Sequence, residues 1–384
     1  MPKPIVLQAI EADDQEANDQ EADQEAKLDV SKAEAEVFGN DLAKAIREND
    51  IAAFKTLMDF DKILNRSLEG FEITKKSRED FLRGAKPAPG NFAGLLHKQS
   101  LEGGSYDLVK PIRRGKHRHV MMRLLHPTGG YNYHDIRLVK VDGVVRGDQL
   151  FFASTGEAFS DTLRGLVAAS IRSSDSIIGR MSGESERALA RLERQNAVQK
   201  AINAGDTATA LEKIEALPEA EKRTKLMLLA RLQATPLENE AAYLAAVDDL
   251  MSAFPGDAVS GLVAMDAGIL RNDDALVVRS FENIRSWTGG DPLLNLMVAA
   301  VRAENGLHDE ALAMIENVDV EKIGLPDAHQ YRMSVAISRE NYDEVLTQLR
   351  MLRNRFGYQF GDLTAEPEFS GFVKSPQYQT WIGQ

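Results

Sequence analysis

Apolar positions in the first part of the chain recur at helical spacing. Val37, Leu42, Ala45 and Ile46, then Ile51, Phe54, Leu57 and Met58, predict helix over 33–58. Glu48-Asn49-Asp50 divides that stretch, with Asn49 or Asp50 capping the second helix. Shorter helices are expected at 60–68 and 77–82, the latter opening on Ser77-Arg78-Glu79-Asp80. Lys86-Pro87-Ala88-Pro89-Gly90 is then expected to end the helical region. After Gly103-Gly104 the period changes to two. Val120, Met122 and Leu124 share one face, as do Ile136 and Leu138, and strands are predicted at 105–112, 116–125, 131–141 and 144–153. The turns between them hold Arg113-Arg114-Gly115, Pro127-Thr128-Gly129-Gly130 and Asp142-Gly143.

Helical spacing returns at 160–172, is interrupted by Ser173-Ser174-Asp175-Ser176, and continues to the C-terminus. Gly205-Asp206…Ala210-Leu211, Asp273-Asp274-Ala275-Leu276, Asp309-Glu310-Ala311-Leu312 and Asp343-Glu344-Val345-Leu346 share one pattern: an acidic start, a small residue or valine, then leucine. The last three leucines lie 36 and 34 positions apart, and the gap before them holds two such units. A period in the mid-thirties is that of stacked helical hairpins, which cannot bury their apolar faces singly. Five pairs are expected: 184–204 with 207–216, 219–233 with 238–253, 258–270 with 274–287, 292–304 with 309–318, and 327–339 with 342–355. Leu244, Val247, Leu250, Leu262, Val277, Leu296, Val298 and Met314 are their expected core. The aromatics of 362–384 (Phe369, Phe372, Tyr378, Trp381) fit a terminal element shielding the last apolar face.

Charge changes this picture at one end only. The net charge is −13, but residues 11–26 read EADDQEANDQEADQEA with eight acids and no base, which leaves −5 for the rest. Residues 1–29 are therefore expected to form a disordered acidic tail. Four segments result: that tail, an α+β domain over 30–175, helical repeats over 182–361 and a capping segment over 362–384. No apolar run reaches the roughly 20 residues needed for a membrane span. There is no cysteine, so no disulfide, thiolate metal site or cysteine nucleophile is available. The first ten residues lack the basic start and apolar core of a signal peptide, which leaves two compartments open: cytoplasmic, or exported after removal of a leader.

The helical pairs resemble tetratricopeptide repeats in divergent form, through Ala303, Gly306, Ala311 and Ala313 and the closing prolines Pro218 and Pro255. Residues 38–164 resemble cystatin-like or nuclear transport factor 2-like (NTF2-like) domains. More narrowly, Asn132-Tyr133-His134-Asp135, Gly156-Glu157 and Ser160-Asp161-Thr162-Leu163-Arg164 are similar to uncharacterised bacterial proteins carrying such a domain ahead of a tetratricopeptide-like region. The resemblance implies an α+β domain of helices packed in a curved antiparallel sheet, an NTF2-like cone, followed by an all-α solenoid. It brings no activity with it. Domains of this kind pair through the outer sheet face, so a homodimer stays open.

Candidate chemistry is sparse. Five of the seven histidines (His97, His117, His119, His126, His134) fall before residue 135. Their spacing is too unspecific for a metal site, and no metal or cofactor is expected. Tyr133, His134 and Asp135 are the pocket candidates, since a Tyr–Asp pair in a cone can polarise a carbonyl and move a proton. The plainer alternative is that a tyrosine hydroxyl and His134 satisfy each other. Lys110, Arg113, Arg114, Lys116 and Arg118 form a basic hairpin; with only Tyr106 nearby for stacking and an acidic chain overall, no nucleic acid is expected. Ser160 reads as a helix N-cap. For the concave face of the repeats the candidates are Lys225, Arg231, Asp266, Arg302, Tyr331 and Arg332. The expected role is a non-catalytic scaffold holding a protein or peptide on the repeats, with the cone as a small-ligand pocket or interaction module. The alternative is a small-molecule-binding protein or an isomerase- or dehydratase-like enzyme using that pocket.

Overall fold

The computed structural model describes residues 29–71, 73–126, 131–172, 183–236 and 239–383. The acidic stretch, the break at Ser173-Ser174-Asp175-Ser176 and the turn at 127–130 lie outside them. The chain forms two compact units, one ending at Ala246 and the other beginning at Val247.

The first unit opens with five helices: α1 (Lys32–Arg47), α2 (Ile51–Leu57), α3 (Phe60–Ser67), α4 (Lys75–Ala85) and α5 (Ala88–Leu101). α1 starts in a capping box, Ser31 Oγ accepting from the Glu34 amide at 3.3 Å and Glu34 Oε2 from the Ser31 amide at 2.9 Å. Asp50, not Asn49, caps α2; Asn49 takes the left-handed turn before it (φ 55°). Thr74, not Ser77, caps α4.

The proline-rich stretch starts a helix instead of ending the helical region. Pro87 stands at the N-cap of α5 and Pro89 in its first turn, where the missing amide hydrogens would have had no helical partner.

The sheet is an antiparallel meander of β1 (Ser105–Arg114), β2 (His117–Leu125), β3 (Tyr131–Val141) and β4 (Val144–Phe152), closed by a two-residue β5 (Glu157–Ala158). Asp142 and Gly143 turn β3 into β4 with positive φ at both positions, as a two-residue hairpin with native twist requires. Val120, Met122, Leu124, Ile136, Leu138 and Leu150 pack with Phe38, Leu42 and Ile46 of α1 and with Phe54 and Ile63 in one core.

Between β3 and β4 the register slips: Arg137 opposes Gln149 and Leu138 opposes Gly147, so Asp148 has no partner across the ladder. Its neighbour Gly147 lies under the joint of α2 and α3, accepting from the Asp59 amide at 2.8 Å. A Cβ there would sit 2.5 Å from Met58 Sδ and 2.8 Å from Ile136 Cγ2. Gly147→Ala is therefore expected to destabilise this unit by about 1–3 kcal/mol, read by urea unfolding.

After β5 come α6 (Phe159–Arg172), α7 (Gly183–Asn203), α8 (Thr207–Glu215), α9 (Glu219–Lys222), α10 (Lys225–Ala234) and α11 (Glu240–Ala253), in which the first unit ends. Ser160 lies inside the first turn of α6, not at its cap; it is buried and accepts from Gln149 Nε2 at 2.8 Å. Val198, Ile214, Leu217, Met227 and Ala230 form the core of α7, α8 and α10.

The second unit is helical: α12 (Ala258–Leu270) pairs with α13 (Asp274–Thr288), α14 (Pro292–Glu304) with α15 (His308–Ile315), and α17 (Pro326–Ser338) with α18 (Tyr342–Phe356). α16 (Val320–Ile323) is a single turn, and α14 also packs on α17. Short 3₁₀ turns and α19 (Pro376–Ile382) follow, with Leu363, Phe369 and Phe372 buried against Leu346, Leu349 and Leu352 of α18.

The spacing of the hairpin turns is more regular than the leucines imply. The residues preceding α8, α11, α13, α15 and α18 are Asp206, Asn239, Asp273, Leu307 and Asn341, which lie 33, 34, 34 and 34 positions apart. Asp206, Asp273, Leu307 and Asn341 each donate their amide to the carbonyl five residues back. A residue of positive φ precedes each of these four: Gly205, Asn272, Gly306 and Glu340. Four residues on, Ala210, Tyr243, Val277, Ala311 and Val345 are all buried. The spacing of 36 arises because Leu276 stands three places after its cap, whereas Leu312 and Leu346 stand five places after theirs. Leu312 is in fact exposed. Of the expected core, Val247, Leu250, Val277, Leu296 and Val298 are fully buried, and Leu244, Leu262 and Met314 half-buried.

Candidate functional site

A cavity of about 340 Å³ opens in the first unit, lined by α5, the ends of β2, β3 and β4, the turn into β5, the start of α6, and α7. Each element supplies a defined share. α5 presents Phe92, Leu95, Leu96 and Gln99, which spacings of three and four put on one helix face. Inward alternation on the sheet brings Leu124, His126, Asn132, His134 and Phe152 to the same space. Leu192, Gln195, Asn196 and Gln199 of α7 line it from the other side, with Leu226 of α10. The walls are thus largely apolar and aromatic, with polar groups at selected points, the usual composition of a small-molecule site.

His134 is the most enclosed of those polar groups. It is 2% exposed; its Nδ1 lies 3.1 Å from Tyr106 Oη and its Nε2 3.3 Å from Asn132 Nδ2. Phe152 meets the imidazole edge to face at 4.9 Å, with Phe92 at 5.9 Å. Burial, together with the nearby His126, pushes its pKa down to about 3, so the ring is neutral at physiological pH. Burial raises the Tyr106 hydroxyl well above its ordinary range, and that group stays protonated as well. Asn132 completes the network, donating to Ser154 Oγ at 3.1 Å and accepting from the Ser154 amide at 3.0 Å.

The sign of the His134 shift gives a pH prediction. The unfolded chain takes up its proton near pH 6.5 and the folded chain only near 3, so folding loses stability as pH falls below 6.5. At pH 5 the loss from this one group is about 2 kcal/mol. His134→Gln is expected to flatten the stability–pH profile between 7 and 5 by that amount, measured by urea unfolding at each pH. An unchanged slope would refute the assignment.

Glu157, on β5 across the ladder from Phe152, is half-buried. Burial, with the charge of Asp161 adding to it, pushes its carboxyl up to about 7. Gln99 and Thr155 also line this space; their side-chain oxygens Oε1 and Oγ1 are buried and have no hydrogen-bond partner among the described residues. Among the described residues, no lysine or arginine lines the cavity. Nor, among the described residues, is any group of three or more His, Asp or Glu placed to hold a metal ion.

The three pocket candidates read from sequence do not share one space. His134 lines the cavity, whereas Tyr133 and Asp135 flank it on the strand and so point to the opposite face. Tyr133 is fully buried there. Asp135 binds His119 Nδ1 and Arg114 Nε, each at 2.5 Å. The tyrosine that satisfies His134 is Tyr106. Within the basic hairpin, Arg114 is thus paired and Arg118 is buried.

The candidates on the helices divide between the units. In the first, Lys225 packs its stem beside Gly156, and Arg231 pairs with Glu215. In the second, Arg302 pairs with Asp274 at 3.1 Å, and Arg332 with Glu344 at 2.6 Å while donating to the Val318 carbonyl. Tyr331 is half-buried and Asp266 exposed. The three arginines therefore tie one helix to another.

The polar lining at Gln99 and Thr155 and the α5 wall lay outside the sequence reading, which Glu157 entered only through the resemblance at Gly156-Glu157. The one available signal was the spacing of Phe92, Leu96 and Gln99, which the prolines before them obscured. Comparison with known protein families, with curated proteins and with solved structures finds no match.

Proposed function

We propose that this chain is a non-catalytic binding protein whose working site is the cavity of its α+β unit, where a small, largely apolar molecule is held. The observation that carries this is the cavity itself: about 340 Å³, walled by Phe92, Leu96, Leu124 and Phe152. The sheet and its helices serve this role as an NTF2-like cone would, holding the lining side chains on rigid elements. His134, neutral and engaged at both ring nitrogens, acts as part of the wall; a general base would need a nitrogen free to take a proton.

Thr162 is exposed at the edge of the cavity. Thr162→Trp is expected to close the site while leaving the fold intact. The test is a fragment screen by ligand-observed NMR on both proteins. Fragments that bind the native chain and are lost in the variant support the reading; fragments that bind both equally refute it.

A second role is proposed for the helical hairpins, as a tetratricopeptide-like scaffold for a protein or peptide. The 34-residue spacing of Asp273, Leu307 and Asn341 in the second unit supports it, since helical hairpins repeated at that period stack on their neighbours. Because Arg231, Arg302 and Arg332 hold helices together, replacing any of them would disturb stability as well as a partner.

A further inference from the structure

The lining chemistry narrows the ligand class, on the premise that the cavity is a ligand site. Three kinds of small molecule can be weighed against it. An anion meets Glu157 and Asp161 with no lysine or arginine on the lining to offset them, and that juxtaposition is repulsive. A neutral molecule suits the apolar walls while Glu157 is protonated, but leaves the carboxylate without a counter-charge once it ionises above about pH 7. A cation supplies one. The rings of Phe92 and Phe152 on the same cavity offer apolar surface to a flat body.

We infer that the cavity takes an amine: a molecule with a flat apolar body against Phe92 and Phe152 and an ammonium group at Glu157. The ammonium also lies in the field of Asp161. Among the described residues, the other titratable groups on the lining or beside Glu157 include His126 and His134, both shifted toward the neutral form, and Lys225, whose stem packs at Gly156. The lining residues of α7 carry no charge.

The experiment is isothermal titration calorimetry of the full chain with three probes of one shape: tryptamine, tryptophol and indole-3-acetate. At pH 8 tryptamine is expected to bind about tenfold more tightly than tryptophol, and indole-3-acetate more weakly than either. Between pH 6 and pH 8 tryptamine binding should tighten about tenfold as Glu157 ionises, with tryptophol unaffected. Glu157→Gln should weaken tryptamine about tenfold and leave tryptophol unchanged; Asp161→Asn should weaken it less. Tryptophol binding as tightly as tryptamine overturns the amine assignment and leaves the cavity standing as a ligand site. Failure of all three probes overturns the assignment as well, because a flat body and an ammonium are the two features it names. Whether the cavity holds any ligand is then decided separately by the Thr162→Trp comparison.

Discussion

Replacing Asp148 with alanine is expected to cost the first unit about 3 kcal/mol. Its carboxylate sits at the bulge of β4 with no exposed surface, and three cations converge on it. Lys62 Nζ lies 2.7 Å away, Arg137 Nε 2.7 Å, and the Arg66 guanidinium 3.5 Å. Burial alone would raise the Asp148 pKa; the hydrogen bonds from Arg137 and Lys62 outweigh it and hold the group below the ordinary carboxylate range. Removing the acid leaves three cations facing one another. Lys62 is 46% exposed and Arg137 28%, so water compensates in part and the cost falls at the lower end for a broken buried pair.

The pH dependence follows from the direction of the shift. A depressed carboxylate stabilises fully above its unfolded pKa of about 4 and loses that contribution as pH falls through its folded value. Urea unfolding should therefore show a constant gap between the native chain and Asp148→Ala from pH 8 to pH 5. Below pH 4 the gap narrows. A difference under about 1 kcal/mol at neutral pH would mean that the bulge is held by its backbone alone.

The second large effect is expected at the C-terminus. Phe372 is 1% exposed and meets the rings of Tyr342, Phe369 and Tyr378 at 6.0, 6.2 and 5.8 Å. Phe372→Ala removes the centre of that cluster, which covers Leu349 and Leu352 of α18, and should cost about 4 kcal/mol. Trp381 reports the change directly, because it stacks under Arg353 at 4.3 Å and against Phe360 at 5.6 Å. A red shift of tryptophan emission at lower urea concentration is the predicted outcome. An unmoved midpoint would show that the aromatic segment contributes nothing to the second unit.

These two sites also mark how far the sequence could be read. The aromatic spacing of the last segment was legible because each ring recurs on one face of a short element. Asp148 was not, because a bulge is a departure from alternation and leaves no trace in the pattern that alternation predicts. The strands of the meander were announced by Gly115 and Asp142-Gly143, where the backbone needs positive φ. The helix α5 was hidden by Pro87 and Pro89, whose effect depends on whether they fall in a first turn or an interior one. With that helix went one side of the cavity wall, Phe92, Leu95, Leu96 and Gln99. Tyr133, His134 and Asp135 hold the simplest lesson: neighbours on a strand face opposite ways, so three consecutive residues cannot line one pocket. The hairpin period was legible to within two residues, its one slip caused by matching leucines rather than caps.

The measurement that tests the cavity most directly is native mass spectrometry of the full chain purified from its source cells, beside Thr162→Trp prepared in the same way. A small-molecule mass excess on the native chain, absent from the variant, is the predicted result. An adduct retained unchanged by the variant, or a native chain that carries none and also binds no fragment in the NMR screen, would contradict the assignment of this cavity as the working site.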